Sequence, residues 1–293
     1  MADSLERSSP CKINLLLNVL CKRADGFHEL ETVMQRVELC DQLRFSRGGH
    51  GAGVELTCSD PTLPVDARNL VHRAATAFLE RAGLSEAVRI HLEKRIPQAA
   101  GLGGGSGNAA TALLALNELF GQPLPADQLT AIATSLGSDV PFFLQAGPAL
   151  GLGRGERITP LEPFRALRNT AVLLIHPGFG VSTAWAYQEL GRYPAATAGQ
   201  PGRAGRLIEL LQTDDPAAAG AGLYNSLEAP VLEKYPLLVV CQEFLRSHGA
   251  IGALMSGSGS TTFAIVRDEA DARRLEQQVR EKFGSCWTAV VPL

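Results

Sequence analysis

"IPQAAGLGGGSGNAATALLALNEL", residues 96–119, decides the fold. Five glycines, Gly101, Gly103, Gly104, Gly105 and Gly107, fall within seven positions, and the chain then enters a helical pattern of Ala and Leu. Glycine lets backbone approach a ligand closely and take positive φ, while the first turn of a helix offers free N–H groups at the positive end of its dipole. A glycine-rich turn feeding a helix is therefore built for phosphate oxygens. It is not the GxxxxGK[ST] loop, because Ser106 and Gly107 stand where a Lys would follow the glycines. Gly105 to Ala110 satisfies a relaxed GxGxxA dinucleotide fingerprint, but the preceding strand ends near Ile96, too early for a tight strand–turn–helix. No acidic strand end follows at the distance that fingerprint needs; Asp127 sits at a helix start instead. Five glycines with no ligand would cost much chain entropy for mere linking.

Working outward, short apolar or β-branched runs predict strands at 12–20, 31–39, 41–47 and 53–59. A helix opens after the N-cap candidate Asn69 and closes at Gly83, and a strand over 87–96 stops at Pro97. Beyond the glycines come helices at 108–120 and 125–137, then loop and strand over 138–161. The apolar strand "TAVLLIHPG" (170–178) opens a second unit. The stretch 191–222, rich in Ala, Gly and Pro, reads as a surface excursion around one short helix, "RLIELLQ". Two helical patterns follow, then a strand–turn–strand over 252–266, a charged helix from Glu269 to Phe283 and a last strand, "CWTAVVP". Strands and helices mix in both halves, which predicts an α+β fold in two domains, 1–165 and 166–293, with no internal repeat.

The 293 residues are 45% hydrophobic and 19% charged, ordinary for a globular protein. A net charge of -3 leaves no basic surplus for a nucleic acid backbone, so no nucleic acid partner is expected. The start, "MADSLERSSP", lacks a leader pattern, and no apolar run is long enough for a membrane span, so a cytoplasmic protein without membrane contact is expected. Six cysteines without a CxxC pair and six histidines without HExxH spacing predict reduced thiols and no protein-held transition metal.

Three further stretches carry chemistry. Lys12 and Asn14 share one face of an otherwise apolar strand, either to meet a ligand or to protect a sheet edge. The "ADGFH" turn displays Phe27 and His28, which suits a flat polar base or is simply a hairpin. In "LGSDVPFF" (136–143), Asp139 at an element end is placed to deprotonate a hydroxyl or to cap a short helix. A second glycine cluster, "MSGSGSTTF" (255–263), is either a backbone-donor loop or a hairpin turn.

Together these pieces resemble the GHMP kinase superfamily, with its PxKxNLxL strand, PxxxGLGGGSS loop and GSGS-type loop. Here they read "PCKINLLL", "PQAAGLGGGSG" and "SGSGSTTF", in that order across the chain. Within it, "KINLLLNVLCKRADGFHELETVMQ", "GLGGGS", "GSDVPFFL", "GRGERI" and "NSLE" resemble the family that phosphorylates the 2-hydroxyl of a diphosphocytidyl methylerythritol in the non-mevalonate isoprenoid pathway. The resemblance implies an ATP-binding N-terminal α+β domain, a ferredoxin-like C-terminal domain and a substrate cleft between them. Lys12 and Asp139 match the catalytic pair, Asp139 accepting the hydroxyl proton beside the Lys12 charge. Pro97, Gly101, Leu102, Gly103, Gly104, Gly105, Ser106 and Gly107 would wrap the ATP phosphates, with Asn69, Leu70 and Lys94 near the adenine. Asn14, Phe27 and His28 would take the cytidine end, Thr183, Trp185 or Tyr187 of "STAWAY" would supply its other wall, and Gly257 and Ser258 would also face the substrate. Mg²⁺ would be held mainly by the phosphates.

The partner implied is a small molecule carrying a cytidine diphosphate group, and the chain is expected to be a monomer or weak homodimer. Alternatives are another GHMP small-molecule kinase, of homoserine or mevalonate type, and a nucleotide-binding regulator without turnover. Three positions depart from the family pattern. Phe27 stands for Tyr, losing a hydroxyl, and Ala99 stands for Gly, read as a small change. Gly107 stands for a second Ser that in relatives approaches the magnesium, which predicts weaker metal affinity.

Overall fold

The computed structural model describes residues 4–48 and 53–293; the first three residues of the N-terminal stretch read above lie outside them. In chain order its first elements are β1 (Ser4–Lys22), β2 (His28–Arg47), β3 (Val54–Cys58), α1 (Leu70–Ala82), β4 (Val88–Glu93), α2 (Gly104–Leu119) and α3 (Ala126–Leu136). There follow β5 (Ala149–Gly153), β6 (Arg157–Pro160), β7 (Ala171–His176), α4 (Thr183–Leu190), α5 (Pro194–Thr197), α6 (Arg203–Leu211) and α7 (Pro216–Ala221). The last are β8 (Tyr224–Asn225), α8 (Glu228–Lys234), α9 (Pro236–Ser247), β9 (Gly252–Met255), β10 (Thr262–Val266), α10 (Glu269–Phe283) and β11 (Trp287–Pro292). The chain forms two compact units, each drawn from several stretches.

The first unit takes in the chain up to Cys11 together with Leu39–Ile96 and Gly103–Ala146. Here β4 pairs antiparallel with the second half of β2 and parallel with β3. The strands predicted at 31–39 and 41–47 are one strand, β2, because no Gly, Pro or Asn separates them. The residue after the expected break, Asp41, is fully buried. Its carboxylate accepts from Lys94 Nζ at 2.6 Å and from the N–H groups of Arg95 and Ile96 at 2.7 and 2.9 Å, so it pins the root of the glycine loop. Helix α1 has the predicted ends: Asn69 Oδ1 accepts from Val71 N at 2.9 Å, and Gly83 closes it at φ 65°. It packs against α2, whose Ala-rich sequence is buried on most faces. Helix α2 starts four residues earlier than predicted, so Gly104, Gly105, Ser106 and Gly107 are helical and only Gly101 and Gly103 take positive φ, 76° and 67°.

The second unit takes in Lys12–Glu38, Pro97–Leu102 and Gly147–Leu293. Its four-stranded antiparallel sheet has the order β11-β7-β10-β9. With helices between β7 and β9 and between β10 and β11, this is the ferredoxin-like arrangement expected from the resemblance. Leu173, Ile175, Ala253 and Ala264 of the sheet and Leu245, Leu275 and Val279 of α9 and α10 form one buried cluster. The first half of β2 pairs with β5, and the second half of β1 with β8.

The segment 191–222 is not a surface excursion. It contains α5, α6 and α7 and buries Ala196, Ala204, Leu207, Leu211 and Ala219. The Glu31 carboxylate accepts from Gly202 N and Ala204 N at 2.8 and 3.2 Å, capping α6, whose own N-cap Gly202 has no side chain to do so. Its small residues are contact residues: a Cβ at Gly220 would meet the Ile251 carbonyl. Among the described residues no helix is long and apolar enough to cross a membrane.

Candidate active site

In the first unit the site residues gather at the N-terminus of α2. Its first backbone bond of the i→i−4 kind runs from Gly107 N to Gly103 O at 2.8 Å, and no side chain caps the turn. The N–H groups of Gly104, Gly105 and Ser106 precede that bond, and no acidic residue sits in the first turn to oppose an anion. Lys94 Nζ lies 3.3 Å from where a Gly104 Cβ would be, and Leu70 Cδ1 3.6 Å from a Gly105 Cβ, so two of the three residues expected near the adenine line this turn. Lys94 is also paired with Asp41, both side chains nearly buried, and so presents a fixed charge. The Asn69 side chain is committed to capping, Nδ2 donating to Pro64 O at 2.8 Å. Asp139 is half-buried in the turn between α3 and the 3-10 turn Pro141–Leu144, anchored by the edge-to-face pair Phe142 and Phe143. The residue at the cap position of that 3-10 turn is Val140.

Gly107 is also a packing position. A Cβ there would lie 2.6 Å from Pro10 O and 3.2 Å from Ser9 Oγ, so the position is a close contact between α2 and β1. The difference from the family pattern is therefore a packing matter as well as a missing hydroxyl. The buried Ser9 Oγ itself has no hydrogen-bond partner among the described residues.

In the second unit Lys12 and Asn14 do share a face, both under 4% exposed, and Lys12 Nζ donates to Asn14 Oδ1. Asn14 Nδ2 donates to Thr32 Oγ1 at 2.8 Å, and Thr32 Oγ1 to Leu16 O at 2.7 Å, which fixes the Asn rotamer. Lys12 is buried and its backbone N–H is taken by Leu102 O, so the edge-protection reading of Lys12 falls. Pro97–Leu102 runs alongside: Lys12 N donates to Leu102 O at 2.9 Å, and Thr261 N to Ala100 O at 3.2 Å. The second glycine cluster joins β9 to β10, so it is a turn, and it also packs on this segment. Ser256 Oγ donates to Gly101 O at 2.9 Å, and a Cβ at Gly257 would lie 3.0 Å from Gly101 O and 3.4 Å from Lys12 Nζ. Ser258 Oγ hydrogen-bonds Thr183 Oγ1 at 2.8 Å.

The expected aromatic wall divides. Tyr187 stacks on His28, ring centroids 5.1 Å apart, whereas Trp185 faces away, with Lys234 Nζ 3.9 Å from its ring and Tyr235 edge-on. Residues two apart on α4 point to different sides of the helix, which separates them. Phe27 is 50% exposed with the Arg154 guanidinium 4.6 Å from its ring, and Asp25 Oδ1 accepts from Phe27 N at 3.1 Å to hold the turn. Burial, with the nearby Lys22 charge, holds His28 below the usual histidine range, so its ring is neutral at neutral pH. Ala99 is not a small change: at φ 49° it holds a left-handed conformation that costs an L-residue about 1–2 kcal/mol.

Sequence reasoning missed Thr32, Asp41, Asn225 and Glu228. Asn225 Nδ2 donates to Met255 O and Gly257 O at 2.8 and 2.7 Å, and Glu228 Oε1 accepts from Met255 N at 2.8 Å. Their signal was the "NSLE" motif, noted for its resemblance but with no partner visible some 30 residues away.

The class defined by this fold and these loops has known members. The chain matches the GHMP kinases N terminal domain over residues 69–147 and the GHMP kinases C terminal over residues 201–285. It is 40% identical over 285 residues to a 4-diphosphocytidyl-2-C-methyl-D-erythritol kinase of Geobacter sp. (strain M21), covering 96% of each chain. It is 42% identical over 273 residues to the enzyme so named in Syntrophus aciditrophicus (strain SB), covering 92% of each. A crystal structure of 4-(cytidine 5'-diphospho)-2C-methyl-D-erythritol kinase superposes with a TM-score of 0.79 at 36% identity, covering 99% of this chain and 100% of that one. A homoserine kinase from Cytophaga hutchinsonii shares the fold, with a TM-score of 0.79 at 23% identity. The chain belongs to the GHMP kinases and, within them, to the 4-diphosphocytidyl-2-C-methyl-D-erythritol kinase family.

Proposed function

We propose that the protein transfers the γ-phosphoryl group of ATP to the 2-hydroxyl of 4-diphosphocytidyl-2-C-methyl-D-erythritol. The observation that carries the reading is the buried Lys12 ammonium, bonded to Asn14 Oδ1 and bordered by Gly257, in a chain 40% identical to a family member over 285 residues. Phosphoryl transfer asks a protein mainly for positioning and charge stabilisation. Asp139 takes the hydroxyl proton as oxygen attacks phosphorus; Lys12 supplies a fixed positive charge for the transfer. The free N–H groups of Gly104, Gly105 and Ser106 hold phosphate oxygens, with the Lys94 charge close to Gly104.

The donor set bears on the metal. Among the described residues no group of three or more His, Cys, Asp or Glu could hold an ion, and Gly107 has no side chain. These residues fit a Mg²⁺ carried by phosphate oxygens and water, with Ser106 as the neighbouring hydroxyl; when bound it neutralises phosphate charge. At the other end, the exposed Phe27 face and the neutral His28, backed by Tyr187, suit the cytosine base. The "ADGFH" turn favours this substrate over homoserine or mevalonate, which carry no base.

An ATP-coupled assay with 4-diphosphocytidyl-2-C-methyl-D-erythritol tests the reading, and no phosphate transfer at high enzyme concentration would sink it. Asp139→Asn should lower kcat by about 1,000-fold or more while leaving ATP affinity within a few-fold. That outcome separates turnover from a binding-only regulator.

A further inference from the structure

We propose that Asn225 is a positioning residue for phosphoryl transfer: its amide clamps the carbonyls of Met255 and Gly257 and so sets the loop Ser256–Gly259 against Gly101 and Lys12. The proposal rests on the kinase reading above. Asn225 is 3% exposed, and its three hydrogen bonds are all inside the unit. Nδ2 donates to Met255 O at 2.8 Å and Gly257 O at 2.7 Å, while Oδ1 accepts from Leu227 N at 2.9 Å. Only an amide satisfies this set, since two acceptors and one donor converge on it.

The clamp sits across the bend of the loop. Gly257 takes φ 56°, a left-handed conformation that turns the chain between its two clamped carbonyls. On the far side of the bend Gly257 abuts Gly101 O and Lys12 Nζ, Ser256 Oγ donates to Gly101 O, and Ser258 engages Thr183. Glu228, three residues on, holds the other end through Met255 N, with Gln242 Nε2 donating to the same oxygen at 2.6 Å. Asn225 touches no reacting group; it acts through the loop, and a displacement of about 1 Å there would cost on the order of 100-fold in rate.

The isosteric change Asn225→Asp gives the decisive test. A carboxylate would face two carbonyl oxygens in a buried site, whereas its protonated form can donate to one of them. The assay uses ATP and 4-diphosphocytidyl-2-C-methyl-D-erythritol. At pH 8 Asn225→Asp and Asn225→Ala are each expected to lower kcat about 100-fold with both KM values within about 3-fold. At pH 6 Asn225→Asp regains roughly 10-fold relative to wild type as the carboxyl protonates, and Asn225→Ala does not. Hydrogen exchange, read without substrate, should show the amides of Ser256–Thr261 losing protection in Asn225→Ala while those of β10 keep theirs. Parallel pH profiles for the two variants, a loss confined to KM, or unchanged loop exchange would each overturn the proposal. A wild type that fails to turn over the substrate refutes the kinase reading instead, and the exchange comparison still decides the clamp.

Discussion

The chain contains two glycine-rich loops that look alike in sequence and work in opposite ways. At the start of α2 the glycines leave the N–H groups of Gly104, Gly105 and Ser106 free, with no side chain capping the turn. At Ser256–Gly259 they do the reverse, removing side chains so that the loop can be clamped by Asn225 and pressed against Gly101. A run of Gly and Ser therefore marks either a surface kept open for an anion or a surface closed on protein. What separates the two is whether the carbonyls and N–H groups find partners within the fold.

Gly101, against which the second loop packs within its own unit, is the position at which the comparison breaks most severely. It takes φ 76°, and a Cβ would overlap the Ser256 carbonyl, so Gly101→Ala should cost more than about 2 kcal/mol and most of the activity. Thermal melts and kcat together check this. Gly107→Ser restores the family's residue but pushes a Cβ onto Pro10 O, and is expected to destabilise by about 1–3 kcal/mol, read as a lower Tm. A rise in metal affinity without loss of stability would show that the helix gives way there.

Gly105→Ala sharpens the contrast from the open side. The position is exposed, helical and clear of neighbours to 3.6 Å, so stability should rise by up to about 1 kcal/mol. The KM for ATP should rise all the same, because the methyl group stands where phosphate approaches. The smallest effect belongs to Ala99→Gly: relief of the left-handed strain, partly offset by a freer unfolded chain, should stabilise by roughly 0.5–1 kcal/mol in denaturant melts.

Much of the fold could be read from local signals. α10 runs from Glu269 to Phe283 as predicted, because the Asp268 cap and the Gly284 stop bracket it. α1 likewise lies between Asn69 and Gly83. The start of α2 was read four residues late because glycine is a poor helix former, and tertiary packing overrides that preference. The helix read at "RLIELLQ" is α6, but α5 and α7 were missed for a related reason: Ala and Gly read as loop when they are there for close contact, as at Ala196, Ala219 and Gly220. In the site, Lys12 and Asn14 were legible from the period of a strand, and His28 from its turn. Asn225 and Asp41 were not, since their meaning lies in carbonyls and N–H groups distant in sequence.

The way the two units share the chain bears on biosynthesis. Every stretch of the first unit has been made once Ala146 is joined, but Lys12–Glu38 and Pro97–Leu102 belong to a unit that needs Gly147–Leu293 as well. At about 5–20 residues per second, those early stretches wait roughly 10–50 s on the ribosome before Leu293 is joined. The segment that waits includes Ile13, Leu15, Leu16, Leu17 and Val19, all buried in the finished protein. The strand that carries Lys12 is thus the part of the nascent chain most in need of protection from other strands.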